Sequence, residues 1–195
     1  MELPDDDSDP GDSRPATTRY GNAGELTARF FCAESAMLVA GEDMTHAPQT
    51  KTRRERALEL FRQQFNCSQA IFAAYRDPSQ LDEATALRLA TVMGAGVACT
   101  GKGLCGAVSG ALLALSLEHG RGDLESVDAK LKTYALARDF MERFAAEHGS
   151  YLCRELLGVD IGTPEGMQAA QRADLFAKRC LLLVESAAKI LDEMA

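Results

Sequence analysis

From Cys105 to Leu117 the chain reads CGAVSGALLALSL, with no charged side chain and only two hydroxyls. A helix that is apolar on nearly every side is stable only when other elements surround it. The run is also too short for a bilayer span, which needs about 18–20 apolar residues. The rest of the chain must therefore build a shell around this one helix. Gly106 and Gly110 lie four apart on one of its faces, with Ala107 and Ala111 beside them. Small residues at that spacing let a second backbone come close, including one that carries another cysteine.

The shell reads as helices. Leu58, Phe61, Phe65, Ser68 and Phe72 follow steps of three and four residues, which predicts a helix from Lys51 to Tyr75. Asp77-Pro78 ends it. Further helices are predicted over 81–93, 104–118, 124–147, 150–157 and 165–193, with Pro164 suited to the first turn of the last. Only the VDI fragment near residue 160 has strand character. The fold class is all-α: a bundle of five or six helices with a central buried helix and a disordered acidic N-terminal tail. The 195 residues divide into that tail (1–22), an extra N-terminal helix (23–45) and a helical domain (51–195). The tail is rich in Asp, Pro, Ser and Gly and nearly free of apolar residues. The extra helix has a partial echo in the domain: Phe30-Phe31-Cys32-Ala33-Glu34-Ser35 resembles Phe65-Asn66-Cys67-Ser68-Gln69-Ala70. It reads either as a chance likeness of two amphipathic helices or as a partial repeat.

A formal net charge of −8 argues against a nucleic-acid partner, because phosphate recognition needs clustered Lys and Arg. Met1 is followed by Glu2, Asp5, Asp6 and Asp7, unlike the basic and then apolar start of a secretory signal. No membrane insertion and a cytoplasmic location are therefore expected. In that compartment Cys32, Cys67, Cys99, Cys105, Cys153 and Cys180 would be reduced or metal-bound rather than structural disulfides. Each taken alone also fits a small buried hydrophobe.

Cys105 is the most informative of the six. It follows the glycine-rich stretch GAGVACTGKG and opens the buried helix. Unpaired N–H groups and the positive end of the helix dipole stabilise an anion there, so its thiolate is expected to be favoured, with Lys102 adding to the effect. Gly103 and Gly106, on either side of it, are candidate cofactor-binding positions. Neither GxGxxG nor GxxxxGK[ST] occurs in the loop, which weighs against a phosphate site. Cys67, Cys153 and Cys180 sit in helical segments beside apolar neighbours and should face the interior. No CxxC pair exists, so zinc-ribbon and thioredoxin-like patterns are absent. A helix bundle can nevertheless collect one ligand from each of several helices. His46, His119 and His148 lie in a linker or near helix ends and add little. Glu59, Glu118 and Glu155 read as solvated or salt-bridged.

Four segments together carry a resemblance: FNCSQAIFAAY (65–75), CGAVSGALLALSLEHG (105–120), the Cys153-Arg154-Glu155-Leu156-Leu157-Gly158 run, and the late helical Cys180. They resemble the redox-active family named for its C-GCAxxG-C-C pattern, over about residues 51–195, with Cys105 to Gly110 fitting CGAxxG. The resemblance implies four characteristic cysteines, Cys67, Cys105, Cys153 and Cys180, and a redox role with an oxidoreductase as partner. Cys32 and Cys99 fall outside the pattern, and the long N-terminal extension leaves the arrangement of a homo-oligomer open. Three functions follow. The four thiolates would hold an iron–sulfur cluster or another metal for electron transfer. Alternatively, Cys105 would be the reactive thiolate of a dithiol–disulfide protein, with Cys67 or another of the four resolving. In the third, the chain is a non-enzymatic helical binding module with cysteines as packing residues.

Overall fold

The computed structural model describes residues 51–124 and 126–195. The expectations for the tail, the extra helix, Cys32 and His46 lie outside the described residues. Eight α-helices follow one another: α1 (Arg53–Arg62), α2 (Cys67–Tyr75), α3 (Glu83–Ala90), α4 (Gly106–His119), α5 (Val127–His148), α6 (Cys153–Leu157), α7 (Pro164–Arg172) and α8 (Leu181–Met194). A short 3₁₀ turn (Thr91–Met93) follows α3, and a wide π-type turn (Phe176–Cys180) leads into α8. The described residues contain no strand; Leu104 and Leu152 form one isolated antiparallel bridge. The VDI fragment is part of the loop between α6 and α7.

The domain is all-α, as its pattern indicates, but two long helices expected from periodicity are broken. The first, 51–75, divides into α1 and α2. Gln64 takes a left-handed φ of 73°. Asn66 then starts a new helix: its side chain accepts from the Gln69 N–H (3.0 Å), and the Gln69 side chain accepts from the Asn66 N–H (3.1 Å). This reciprocal cap satisfies two helix-start donors at once. The second, 165–193, is interrupted by a left-handed Asp174 (φ 54°) and by the π-type turn that carries Cys180.

The centre is shared by two helices. In α2 every residue except Gln69 is buried; in α4 the buried residues run from Gly106 to Ala111 and include Ala114 and Leu115. They cross closely because α4 offers glycine. A Cβ at Gly110 would stand 2.7 Å from the Ser68 carbonyl oxygen, and one at Gly106 would stand 2.5 Å from Cys67 Sγ. Helices α1, α3, α5 and α8 pack around this pair. The main core contains Cys67 and Cys105 together with Phe72, Phe140, Phe144 and Leu183. A second, smaller cluster under α6 and α7 contains Cys153, Cys180, Leu157, Ile161 and Ala170. Phe61 packs against both clusters.

Candidate redox site

Three of the four pattern cysteines stand at helix starts. Cys67 is the first residue of α2, Cys105 is the N-cap of α4, and Cys153 is the first residue of α6. Cys180 sits where the π-type turn becomes α8. All four are buried, and Cys99, alone among the described cysteines, is exposed. The backbone sets two of them side by side. The Cys105 N–H donates to the Tyr151 carbonyl (2.8 Å) and the Cys153 N–H to the Gly103 carbonyl (3.0 Å), flanking the Leu104–Leu152 bridge.

The closest relationship is between Cys67 and Cys105. The Cys105 thiol donates a hydrogen bond to the Cys67 sulfur, and this holds the Cys67 pKa down, to about 7. Burial opposes the shift. The backbone N–H groups of Ala95, Cys67 and Ser68 add to it. Cys105 moves the other way, well above the usual thiol range, because it gives its proton to Cys67, is buried, and faces the Cys67 charge. Of the two sulfurs, Cys67 is the one whose surroundings favour the anion. The expected thiolate is Cys105; the donors gathered around Cys67 favour the anion there. The first turn of α4 does assist Cys105 through the Ala107 N–H, but Cys67 collects three backbone donors against that one. Gly106 leaves room for the Cys67 sulfur at the very start of α4, while the backbone donors to that sulfur come from Ala95 and from the first turn of α2 itself.

Cys153 and Cys180 remain protonated thiols. Burial is the main cause for both, pushing Cys153 up to about 12 and Cys180 upward as well. The Cys67 charge adds to both shifts, and Cys153 adds to that of Cys180. The four sulfurs therefore lie within electrostatic reach of one another but form two sets: a hydrogen-bonded pair in the main core and two neutral thiols in the smaller cluster.

The donor that sequence reasoning missed is the Ala95 N–H. It belongs to a run of five consecutive left-handed residues, Ala95, Gly96, Val97, Ala98 and Cys99 (φ 52°, 72°, 63°, 51° and 60°). Four of them carry a Cβ, and each such residue costs roughly 1–2 kcal/mol in this conformation. Surrounding bonds hold the turn in place. The Ala98 N–H donates to the Val92 carbonyl (2.7 Å), the Gly101 N–H to the Ala95 carbonyl (3.1 Å), and the Arg154 N–H to the Gly101 carbonyl (3.0 Å). The Thr100 hydroxyl donates to the Gly96 carbonyl (2.6 Å). One end of the turn thus touches the Cys67 sulfur and the other ends at the exposed Cys99. No sequence signal names such a turn beyond the glycines at 96 and 101.

Gly103, expected as a cofactor contact, is occupied structurally. Its N–H donates to the Gly96 carbonyl (3.0 Å), its carbonyl accepts from Cys153, and a Cβ would stand 3.0 Å from both the Gly96 oxygen and Val97 Cγ2. Gly106 is likewise filled by the Cys67 sulfur. Among the described residues no three His, Cys, Asp or Glu side chains form a group that could hold a metal ion. His148 is largely buried; its Nε2 neither accepts nor donates a hydrogen bond and stands 4.0 Å from the Glu147 carboxylate, burial lowers its pKa, and its ring lies against Phe144. The His119 carbonyl accepts from the Thr133 hydroxyl (2.6 Å), and its ring stands 3.9 Å from the Glu118 carboxylate. None of the described helices is long and apolar enough to cross a membrane.

No curated protein and no solved structure matches the chain. The family described as "Putative redox-active protein (C_GCAxxG_C_C)" matches residues 65–194, a span that takes in all four pattern cysteines. Within it the central motif reads Cys105-Gly106-Ala107-Val108-Ser109-Gly110, with cysteine and glycine in the reverse order of the family's name and the glycine at the spot that Cys67 Sγ fills. The chain belongs to this family.

Proposed function

We propose that the protein is a thiol–disulfide redox protein whose exchanging pair is Cys67 and Cys105. The observation that carries this is placement: the buried Cys67 sulfur fills the space at Gly106, next to Cys105 at the start of α4, and the Cys105 thiol holds its pKa down, to about 7. At neutral pH roughly half of Cys67 is then thiolate, which is the attacking species in exchange. The Cys67 thiolate attacks one sulfur of a partner's disulfide. A Cys67–partner mixed disulfide forms, and the partner's other sulfur leaves as a thiolate that takes a proton from water. Cys105 then gives its proton to water and attacks Cys67 Sγ. The partner's remaining thiolate departs, and a Cys67–Cys105 disulfide closes. The partner's disulfide is reduced by two electrons and the pair is oxidised by two. A dithiol oxidoreductase restores the pair by the reverse steps. Because both sulfurs are buried, a partner reaches Cys67 when the left-handed turn at 95–99 moves aside. A reducing, cytoplasmic setting suits such a pair.

The four-thiolate cluster that the family pattern implies has weaker support, since two of its ligands remain buried neutral thiols and no three donors converge. One experiment separates the readings. The chain is purified anaerobically, its visible spectrum and iron content are recorded, and it is then oxidised mildly. Peptide mapping should show a Cys67–Cys105 link that reductant reverses, in a colourless protein. Stoichiometric iron with a coloured spectrum would establish the cluster instead. Two free thiols at these positions after oxidation would leave only the packing module.

A further inference from the structure

The exchange at Cys67 and Cys105 leaves Cys99 unused, although it is the described cysteine that solvent reaches. The left-handed turn sets its place. The Gly101 N–H returns to the Ala95 carbonyl (3.1 Å), which closes residues 95–101 into a compact loop. Cys99 stands two residues from Gly101, a span of at most about 7 Å. The Gly101 carbonyl accepts from the Arg154 N–H (3.0 Å), so the loop lies against the start of α6, where Cys153 is the first residue. Beyond burial, the charges of Cys67 and Cys99 both push the Cys153 thiol up. Cys153 is therefore within electrostatic reach of the exposed sulfur on one side and of the buried pair on the other.

The turn itself joins the same two ends. Ala95 gives its N–H to the Cys67 sulfur, and Cys99 is in the open four residues later. Four of the five residues carry a Cβ in a conformation that L residues avoid. Opening the turn breaks the bonds that hold it, the Ala98 N–H to the Val92 carbonyl (2.7 Å) among them, but it releases that strain. The segment that must move before Cys67 is reached thus carries a thiol of its own.

We propose that Cys99 is the landing thiol of the exchange: it takes up the partner's disulfide at the surface, and the turn delivers it to Cys67. This rests on the Cys67–Cys105 reading and adds one step ahead of it. Cys99 gives its proton to water and attacks one sulfur of the partner's disulfide, and the partner's other sulfur leaves as a thiolate that is protonated by water. The disulfide that Cys67 attacks is then the Cys99–partner bond. Attack at Cys99 Sγ releases the partner's remaining thiolate and leaves a Cys67–Cys99 bond. Cys105, its proton lost to water, displaces Cys99 from Cys67, and Cys99 is protonated again. The partner is reduced by two electrons, the buried pair is oxidised by two, and Cys99 ends as it began. Anchoring speeds exchange because each opening of the turn finds the disulfide already in place.

The reduced full chain is mixed with glutathione disulfide, quenched in acid at intervals and mapped by peptide mass. Wild type should form the Cys67–Cys105 link. Cys99→Ser should form it at least about tenfold more slowly, yet reach the same extent in a fixed glutathione redox buffer, because Cys99 is absent from the product. Cys105→Ala removes the resolving thiol and should trap a Cys67–Cys99 link. If Cys105→Ala does not fold, the exposed Cys99→Ser variant decides alone. A Cys99→Ser chain that links as fast as wild type would overturn the proposal and leave the buried pair intact. So would a slower rate with a lower extent, which would mean that Cys99 acts by holding the fold. A Cys105→Ala chain linked between Cys99 and Cys153, or holding glutathione on Cys67 or Cys99 without a Cys67–Cys99 link, would also overturn it. A wild type that never forms the Cys67–Cys105 link would overturn the exchange reading and this step with it.

Discussion

A thiol in apolar surroundings ordinarily keeps its proton. Cys153 and Cys180 follow that rule, and Cys67 departs from it although it is equally buried. The difference is donors. Cys67 receives one S–H and three backbone N–H groups, and hydrogen bonds to the charged form favour it. The S–H is the largest cause, so it is the one to remove. In a Cys99→Ser background, which takes away the exposed thiol, alkylation of Cys67 should follow a titration centred near 7. Cys105→Ala should move that midpoint up toward the ordinary thiol value of about 8.5, while the backbone donors keep it from rising further. Rate against pH, with modified peptides identified by mass, checks both curves. A wild-type midpoint above the ordinary value would place the anion elsewhere.

The helices show what was legible and what was not. The small-residue face of α4 was readable, because glycine and alanine at four-residue steps announce close packing. The Asn66-x-x-Gln69 cap was also present as a signal, but the apolar steps through Phe65, Ser68 and Phe72 continue smoothly across it and concealed the helix start. That misreading mattered for function. It placed Cys67 inside a helix, where it would meet no free donors, and so directed attention to Cys105. The left-handed turn at 95–99 could not be read at all, since Val97, Ala98 and Cys99 have no preference for that conformation and are held there by bonds to α6 and to Val92. The break before α8 is similar: no glycine or proline marks Asp174. The α2–α4 crossing gives a direct test. Gly110→Ala gains about 1 kcal/mol of helix propensity, yet its Cβ would stand 2.7 Å from the Ser68 carbonyl oxygen. A backbone oxygen cannot swing aside, so the variant should be less stable by a net of about 1–3 kcal/mol, measured by urea unfolding. A Gly110→Ala protein as stable as the wild type would mean that the helices part without cost.

At the scale of the whole domain, the thiols set how stability depends on pH, and the two sets pull in opposite directions. Cys67 has a lowered folded-state pKa. Its contribution is present above the unfolded value and is lost as pH falls through about 7. Cys105, Cys153 and Cys180 have raised values. Above about 8.5 the unfolded chain releases these protons while the folded chain keeps them, so stability falls as pH rises. Each such group contributes a slope of up to about 1.4 kcal/mol per pH unit. Tyr75, raised by burial and by its bond to Asp192 (2.7 Å), joins them only above about 10. Under reducing conditions the unfolding free energy should therefore decline from about pH 8.5 upward, and Cys153→Ala should make that decline shallower by about one proton. Urea unfolding at a series of pH values measures the slope directly, as the difference in protons bound. Oxidation adds a second check on the same curve. A Cys67–Cys105 link closes a loop between positions 38 apart, worth about 4 kcal/mol on chain entropy, and it removes Cys105 from the titrating set. The oxidised chain should be both more stable and less sensitive to alkali than the reduced one. Equal slopes for the two forms would mean that the bond does not contain Cys105.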